Sequence, residues 1–262
     1  MPTAIVMIHT TDGFVAVSDG KGTNTKKPSM HEEKIFQLKG PCLHLICGTS
    51  GAASILDADG TTDVLKRVYR PIIEGLAKRD FQTLTEYADA VMAALGPVLH
   101  KELKESAPLR DWELSPNEPF TFRLQFAGYF KKTPGIADRQ LSFWREKYCV
   151  SDMKTYFPAS SCQYSLVGSE RIADVVAGGG TELYQYKTPG LTRLKKQDGG
   201  TISQREAIDA GREYIKACMT PEAHTLDALC CGGIGGDIRA ATLAANGDFN
   251  LWVEVPFREE GI

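Results

Sequence analysis

The stretch that decides the fold is Thr3–Ile8 (TAIVMI) together with Phe14–Val17 (FVAV), two apolar runs on either side of Asp12-Gly13. An Asp-Gly pair between two such runs is a strong signal for a tight β-turn with positive φ. Strands that are apolar on both faces need cover on both faces. The opening residues therefore predict a β-hairpin, Thr3 to Ser18, whose two strands both lie inside a sheet.

Polar residues are expected to gather at the open end of this hairpin. The reversal of the chain returns Asp19 and Thr23 to the neighbourhood of Thr3, and Lys34 opens a third predicted strand, Lys34–Leu38. A hydroxyl near the N-terminus, a carboxylate and an ammonium would then meet in one place.

The residues that meet there resemble the proteasome β-subunit family, the threonine-type N-terminal nucleophile hydrolases. The matched stretches are Thr3–Val6, Thr11–Gly13, Ser18-Asp19, Lys34–Phe36 and the strand-to-helix join Cys47–Ala52. The spacing from Thr3 to Asp19 fits the family without a gap, and so does the spacing from Lys34 to Gly48. The resemblance is strong over residues 3–53, patchy over 120–255 and absent from about 100–119.

By this resemblance Thr3 is the nucleophile, Asp19 the acid, Lys34 the lysine and Gly48 the oxyanion-hole glycine of the family. A threonine hydroxyl needs a base, and a free α-amine on the same residue, with a pKa of about 7.7–8.0, can serve. The Lys34 cation would favour the neutral amine, and Asp19 would hold the ammonium in place. The Gly48 N–H would face the oxyanion, a contact typically worth about 3 kcal/mol. The expected reaction is amide cleavage through an acyl-threonine ester.

Two later segments resemble the family more loosely. Val167–Glu170 matches the Gly-Ser turn before a helix and places Ser169 near the nucleophile, while Cys231–Gly233 matches a Ser-Gly-Gly segment, with Asp227 as the acid just before it. Cysteine stands there in place of the family's serine. The run Gly232–Gly236 lacks the Lys-Ser/Thr of a phosphate loop, so a flexible turn is expected.

The resemblance also implies a substrate site and partners. Gly22, Thr23, Ile46 and Ser50 are expected to contact substrate, and Ile46 hints at an apolar side-chain preference. The implied partners are a peptide or unfolded protein substrate, further copies of the chain in a homo-oligomeric ring, and an ATP-driven unfoldase. No cofactor is implied.

One departure from the family pattern leaves a second function open. Thr3 follows Met1 and Pro2 in place of a propeptide that ends in glycine, so Pro2 blocks the amine until the Pro2–Thr3 bond is cleaved. The first hypothesis is a threonine-type peptidase or other amidohydrolase that works after removal of Met1-Pro2. The second is a non-catalytic ring subunit of the same fold with an unprocessed N-terminus.

A third hypothesis comes from a different class of enzyme. Gly48–Ala52 follows a predicted strand and enters a predicted helix, much as the nucleophile elbow of a serine hydrolase does, which would make Ser50 the nucleophile. Such an enzyme also needs a histidine, and His224 is the only one in the second half of the chain. The antiparallel hairpins argue against this class.

The order of elements predicts the fold class. Hairpins near both ends, the second hinged at Asn246-Gly247, indicate antiparallel sheets and not a repeating parallel βαβ sheet. The expected fold is α+β, two antiparallel sheets flanked by helices in the four-layer αββα sandwich of N-terminal nucleophile hydrolases. A single domain over residues 1–262 is expected because no linker divides the chain, with an irregular loop at about 105–119.

Periodicity locates the elements between the hairpins. Helices are predicted from Gly51 to Ile72, from about Asp80 with a kink or end at Gly96-Pro97, at 170–177, and from the capping box Ser203–Glu206. Alternating polarity predicts a strand at Phe120–Phe126, and further strands are expected near 140–147 and 162–167.

The charge and the cysteine content indicate which binding partners and which cellular compartment to expect. With 30 basic and 33 acidic residues, the chain has no electrostatic reason to bind nucleic acid or a membrane surface. It shows no N-terminal signal and no apolar run of about 20 residues, so a cytoplasmic location is expected. Seven cysteines fit a reducing compartment. Cys42 and His44 would face away from Cys47 on a strand, so core cysteines are expected there and not a metal site.

Overall fold

The computed structural model describes residues 3–21, 31–51, 64–105, 116–156, 164–178, 183–187, 189–196 and 202–254. The strands within these ranges are β1 (Ile5–Thr10), β2 (Gly13–Asp19), β3 (Ile35–Lys39), β4 (Leu43–Gly51), β5 (Phe120–Phe130), β6 (Thr133–Phe143), β7 (Tyr148–Tyr156), β8 (Tyr164–Val167), β9 (Ile238–Ala244) and β10 (Phe249–Glu254). The α-helices are α1 (Val64–Leu76), α2 (Leu84–Glu105), α3 (Glu170–Gly178), α4 (Pro189–Lys196), α5 (Gln204–Cys218), α6 (Pro221–Leu226) and α7 (Ala228–Cys231).

The strands form two antiparallel sheets, so the fold is an α+β sandwich. Sheet A has the order β10-β9-β2-β1-β8, and sheet B has the order β3-β4-β5-β6-β7. In sheet A, β1 lies between β2 and β8, and β2 lies between β1 and β9. The expectation that both strands of the first hairpin are interior is confirmed.

Three hydrophobic clusters explain why these strands are apolar on both faces. Ile5 and Met7 of β1 point into a cluster between the sheets, with Ile35 and Ile46 of sheet B. The alternate residues of β1 pack against α3, α4 and α5, which lie on the other side of sheet A. A third cluster joins α1 and α2 to sheet B. Each fully buried aliphatic side chain contributes about 1.5–3 kcal/mol.

The first hairpin turns one residue earlier than expected. Thr10 pairs with Gly13, so the turn residues are Thr11 and Asp12, and Gly13 begins β2 with a φ of 141°. A Cβ on Gly13 would lie 2.1 Å from the Leu243 carbonyl oxygen. The glycine is therefore required by the close approach of β9. The second hairpin, at Asn246-Gly247, is confirmed, and Gly247 has a φ of 90°.

The predicted helix end at Gly96-Pro97 is wrong, because α2 runs through it to Glu105. Proline removes one backbone N–H donor, and the remaining turns of a long helix can carry that loss when packing holds them. Gly96 leaves room for the ring of Tyr148, because a Cβ at position 96 would lie 2.4 Å from that ring. The helix begins at Leu84, four residues after its expected start.

The strand expected near 140–147 is displaced. The true strand is β6, which ends at Phe143 and pairs with β5 through a two-residue turn at Lys131-Lys132. Both lysines have positive φ, 45° and 68°. Turns of this kind are usually recognised by Asn, Asp or Gly, so the sequence signal was missing. The next strand, β7, was also not predicted.

The helices of the second half agree with expectation where a capping signal exists. The Ser203–Glu206 capping box is present and starts α5, and α3 covers the helix expected at 170–177. None of α4, α6 and α7 was predicted. The later part of the helix expected from Gly51 to Ile72 is present as α1, whereas Gly51 itself ends β4. Residues 52–63, 106–115 and 157–163, on which the earlier part of that helix, most of the 105–119 loop and one strand start were expected, lie outside the described residues. No helix in the described ranges combines the length and the apolarity that a membrane crossing requires.

Candidate active site

Thr3, Asp19 and Lys34 meet at one end of the space between the sheets. Lys34 Nζ donates to Asp19 Oδ1 at 2.8 Å and lies 3.4 Å from Thr3 Oγ1. The three residues are 6, 0 and 7% exposed, respectively. An ammonium group shielded from water therefore bridges a carboxylate and a hydroxyl.

Local structure explains how the three come together. Asp19 is the last residue of β2, and its N–H donates to Ala4 O at 3.1 Å, beside Thr3. Lys34 immediately precedes β3, and its carbonyl oxygen accepts from Thr49 N–H of β4 at 2.8 Å. The first hairpin thus positions the hydroxyl and the carboxylate, and the β3-β4 hairpin brings the ammonium.

Asp19 receives four N–H groups. Its Oδ1 accepts from Lys34 Nζ and from Ala4 N–H at 2.9 Å, and its Oδ2 accepts from the N–H groups of Gly235 at 3.2 Å and Lys21 at 3.3 Å. Three of these donors are backbone amides, which no side-chain pattern reveals. The role of Gly235 was missed, because a glycine run alone suggests a turn.

Burial sets the electrostatics of this pair. Loss of water lowers the pKa of the Lys34 ammonium, and the negative charge of Asp19 raises it back in part. For Asp19, burial raises the pKa, while Lys34 and the amides of Ala4 and Gly235 lower it. A lysine whose ordinary pKa is lowered can exchange a proton more readily near neutral pH than a lysine in water.

Gly48 lies in β4, facing the first hairpin. A Cβ on Gly48 would lie 2.6 Å from Met7 Cε, so a larger residue there would displace the end of the Met7 side chain between the sheets. The backbone hydrogen bonds from Thr49 N–H to Lys34 O and from Lys131 N–H to Cys42 O show which residue pairs are hydrogen-bonded in the β3-β4 and β4-β5 ladders. Hydrogen-bonded and non-hydrogen-bonded residue pairs alternate along an antiparallel ladder, so the Gly48 amide is directed toward Gln125 of β5.

Ser169 and Asp227 contact each other. Ser169 Oγ donates to Asp227 Oδ2 at 2.5 Å and accepts from Ile172 N–H at 3.1 Å, where it precedes α3. The hydroxyl donor lowers the pKa of Asp227. The adjacent Gly168 borders the nucleophile candidate, since a Cβ on it would lie 3.4 Å from Thr3 O. The predicted pair therefore lies next to the Thr3 segment.

A thiol and a phenol extend this side of the site. Cys231, which stands at a serine position of the family pattern, is hydrogen-bonded to Cys218 and Ser169, and the bond from Cys218 lowers the pKa of Cys231. Tyr214 OH donates to Ser169 O at 3.2 Å. The spacing of apolar residues in α5 indicates only that Tyr214 lies on its buried face and gives no sign of this contact.

The predicted substrate residues are buried where they are described. Ile46 is fully buried in the cluster between the sheets, and Ser50, at 3% exposure, lies opposite Arg123 in the β4-β5 ladder. Gly22 and Thr23 lie outside the described residues. His224 is on α6, which packs against α3, α5 and α7, whereas Ser50 is in sheet B.

The cysteine and histidine residues do not form a metal site in the described ranges. Within the described part of the chain, no group of three His, Cys, Asp or Glu residues lies close enough to hold a metal ion. Cys47 is a fully buried core residue, as expected. Cys42 differs, because it lies at the margin of that cluster with its thiol 3.3 Å from Asp80 Oδ1.

Comparison with known proteins gives structural relatives only. No family model and no curated protein sequence matches the chain. Among solved structures, Anbu (ancestral β-subunit) from Yersinia bercovieri is similar at a TM-score of 0.54 and 10% identity, covering 97% of this chain and 88% of that one.

Two further structures agree. The helical assembly of the Anbu complex from Pseudomonas aeruginosa matches at a TM-score of 0.51 and 11% identity, over 98% of this chain and 88% of that one. An Anbu (Gly-1) mutant from Hyphomicrobium sp. strain MC1 matches at 0.50 and 12%, over 98% and 89%. At such identities the likeness establishes the fold alone: this chain shares the fold of these Anbu structures.

Proposed function

We propose that this protein is a threonine-type peptidase or related amidohydrolase of the proteasome β-subunit kind, with Thr3 as its nucleophile once Met1-Pro2 has been removed. The observation that carries the proposal is the position of Lys34 Nζ, 2.8 Å from Asp19 Oδ1 and 3.4 Å from Thr3 Oγ1. The three hydrophobic clusters further support the four-layer αββα order in which such sites occur.

In the proposed reaction the freed α-amine of Thr3 takes the proton from Oγ1 as this oxygen attacks the carbonyl carbon of an amide. The C–N bond then breaks, and the leaving amine receives the proton from the α-ammonium group. Water, deprotonated by the same amine, attacks the acyl-threonine ester; the C–Oγ1 bond breaks, the carboxylic acid product leaves, and Oγ1 takes the proton back from the α-ammonium group. Lys34 stabilises the developing alkoxide, and Asp19 holds Lys34 in place.

The remaining assignments belong to the same proposal. Ser169 and Asp227 orient the α-amine, supported by their contact beside the Thr3 segment. Gly48 supplies the oxyanion contact, for which its amide has to turn away from Gln125. Contacts of substrate with Gly22, Thr23, Ile46 and Ser50 stay predictions, as does an apolar preference.

We also propose a cytoplasmic homo-oligomer that acts on peptides or unfolded protein, with an ATP-driven unfoldase as partner. Support comes from the fold, because the Anbu complex from Pseudomonas aeruginosa forms a helical assembly. A light-scattering mass equal to the 28.7 kDa monomer at micromolar concentration would count against an oligomer.

The decisive experiment compares chains with different N-termini. The protein is prepared from a fusion whose processing leaves Thr3 first, and in parallel with Met1-Pro2 retained. Hydrolysis of a fluorogenic peptide panel is expected only from the first form, and a Thr3→Ala chain processed in the same way is expected to be inactive. Equal hydrolysis by the Thr3→Ala chain would refute the nucleophile. Inactivity of every form, with assembly intact, would establish the non-catalytic ring subunit instead.

A further inference from the structure

The glycine run Gly232–Gly236 reaches the candidate active site. Gly235 is buried, and its N–H donates to Asp19 Oδ2 at 3.2 Å. Its carbonyl oxygen accepts from Gly20 N–H at 3.1 Å. The run is therefore joined, by a donor and an acceptor of one residue, to the loop that follows β2.

One further hydrogen bond joins the run to the same loop, and another lies within that loop. Lys21 Nζ donates to Gly232 O at 3.5 Å, and the Lys21 N–H is the second donor to Asp19 Oδ2, at 3.3 Å. The run ends the longer segment Asp227–Gly236, and Asp227 at the start of this segment accepts a hydrogen bond from Ser169 Oγ. This ten-residue segment thus contacts both Asp19, which binds Lys34, and Ser169, which lies beside the Thr3 segment.

The two oxygens of Asp19 have separate partners. Oδ1 accepts from Lys34 Nζ and Ala4 N–H, and Oδ2 accepts from Gly235 and Lys21. A carboxylate bound through one oxygen can rotate about its Cβ–Cγ bond, whereas one bound through both keeps a single orientation. The donors on Oδ2 therefore decide whether Oδ1 stays directed at Lys34.

We propose that Gly235 is a positioning residue of the threonine site: its backbone N–H fixes the Asp19 carboxylate, and through it keeps the Lys34 ammonium within reach of Thr3 Oγ1. This role rests on the proposed function of the site. It is a role of the amide and not of the missing side chain, because a Cβ on Gly235 would approach only the flexible Lys21 side chain, at 3.1 Å from Cδ.

The chain offers a matched pair of variants for this proposal. Gly235→Ala keeps the N–H and adds a methyl group that Lys21 can avoid, whereas Gly235→Pro removes the N–H. Both are compared in the form that begins at Thr3. Loss of a donor to a carboxylate raises its pKa, and a hydrogen bond to a charged group predicts a shift of about one pH unit.

The first measurement is an NMR titration of the full chain. In the wild type, the amide shift of Gly235 is expected to move with the same midpoint as the side-chain carboxyl ¹³C of Asp19, while the amide of Gly232 serves as the internal reference. The Asp19 midpoint should lie about one unit higher in Gly235→Pro than in Gly235→Ala. A Gly235 amide that does not respond to the Asp19 titration overturns the proposal, and this arm stands even if the proline variant does not fold.

The second measurement is the pH profile of hydrolysis. The kcat/KM of Gly235→Pro is expected to fall about tenfold, with its acidic limb moved upward, and that of Gly235→Ala to match the wild type. A folded proline variant with the wild-type pH profile would refute the positioning role. If the wild type beginning at Thr3 hydrolyses no amide, the proposed function fails, while the titration of Gly235 and Asp19 still decides whether the amide holds the carboxylate.

Discussion

Two ion pairs in the described part of the chain, each with a buried carboxylate, differ in their chemistry. In one, Lys34 meets Asp19 through a single oxygen at 2.8 Å, with side chains 9 and 0% exposed. In the other, Arg123 binds both oxygens of Asp138 across β5 and β6, with side chains 20 and 2% exposed. Ser165 of β8 also donates to Asp138, at 2.9 Å, which ties the second pair to sheet A.

The difference shows how burial can serve either structure or chemistry. A guanidinium stays protonated and forms two parallel hydrogen bonds with a carboxylate. Arg123 therefore binds both oxygens of Asp138, and the bond from Ser165 joins this pair to sheet A. An ammonium is a point charge with a pKa that burial lowers, and it keeps a donor for Thr3. We therefore expect catalysis to depend on the lysine pair and stability to depend on the arginine pair.

The sharpest way to break this comparison is to exchange the two cations. In the form that begins at Thr3, Lys34→Arg is expected to lower kcat/KM by about 10²–10⁴-fold, although the charge is kept, because a larger, planar cation replaces a precisely placed ammonium. Arg123→Lys is the matched control and should hydrolyse peptide almost as well as the wild type. Comparable activity of both variants would remove the distinction between the pairs.

The pH dependence of hydrolysis tests the same lysine without a mutation. The rate should rise as the α-amine loses its proton, near pH 7.7–8.0 for an ordinary terminus, and fall as Lys34 is deprotonated. Because burial lowers the pKa of Lys34, the falling limb is expected below the ordinary lysine value of 10.5. A kcat/KM profile that stays level through pH 10.5 would show that the charge of Lys34 is not needed.

Removal of Asp138, the carboxylate of the arginine pair, should mainly lower the stability of the fold. Asp138→Ala leaves Arg123 and Ser165 without their acceptor, and the breaking of a buried pair is expected to cost about 3 kcal/mol in the free energy of unfolding. Urea denaturation measures it. Glu213→Ala, which removes the partner of Lys216 in a surface pair, is the control and should cost about 0.5 kcal/mol or less. Equal costs would mean that the Asp138 pair contributes no more than a surface contact.

The smallest effect is expected at a carboxylate exposed to water. Ser203 N–H and its hydroxyl lower the pKa of Glu206 at the start of α5. Its ionised form therefore stabilises the fold above its ordinary pKa of 4.5, and the contribution is lost as pH falls through the lower, folded value. Ser203→Ala should cost about 1 kcal/mol at pH 7 and less in acid. Thermal unfolding at both pH values checks this, and a cost that is the same at both would show that the Ser203 hydroxyl stabilises α5 only through the bond that it accepts from Glu206 N–H.

Much of the candidate site could be predicted because its first residues are close in sequence. Thr3 and Asp19 lie on one hairpin, so a recognisable turn and a known strand length bring them together. The start of α5 was equally predictable, since a capping box is a local signal. The Lys131-Lys132 turn shows the reverse, because its residues carry no turn signature and its geometry comes from the strands that it joins.

The contacts on the far side of the site were harder to foresee. Gly235 binds Asp19 across 216 positions through a backbone amide, which every residue but proline has. Tyr214 reaches Ser169 from a helix whose spacing indicates only a buried face. Neither contact has a side-chain pattern that would separate it from ordinary packing.

By itself the sequence determined the central hairpin, its burial on both faces and the convergence of Thr3, Asp19 and Lys34, because apolar periodicity and turn chemistry act between near neighbours. The tertiary structure alone decided how little of that cluster is exposed to water, which amides hold Asp19, and that Tyr214 contacts Ser169. The physical reason is that desolvation and long-range hydrogen bonds depend on elements far apart in the chain, and these meet only when the two sheets and their helices pack.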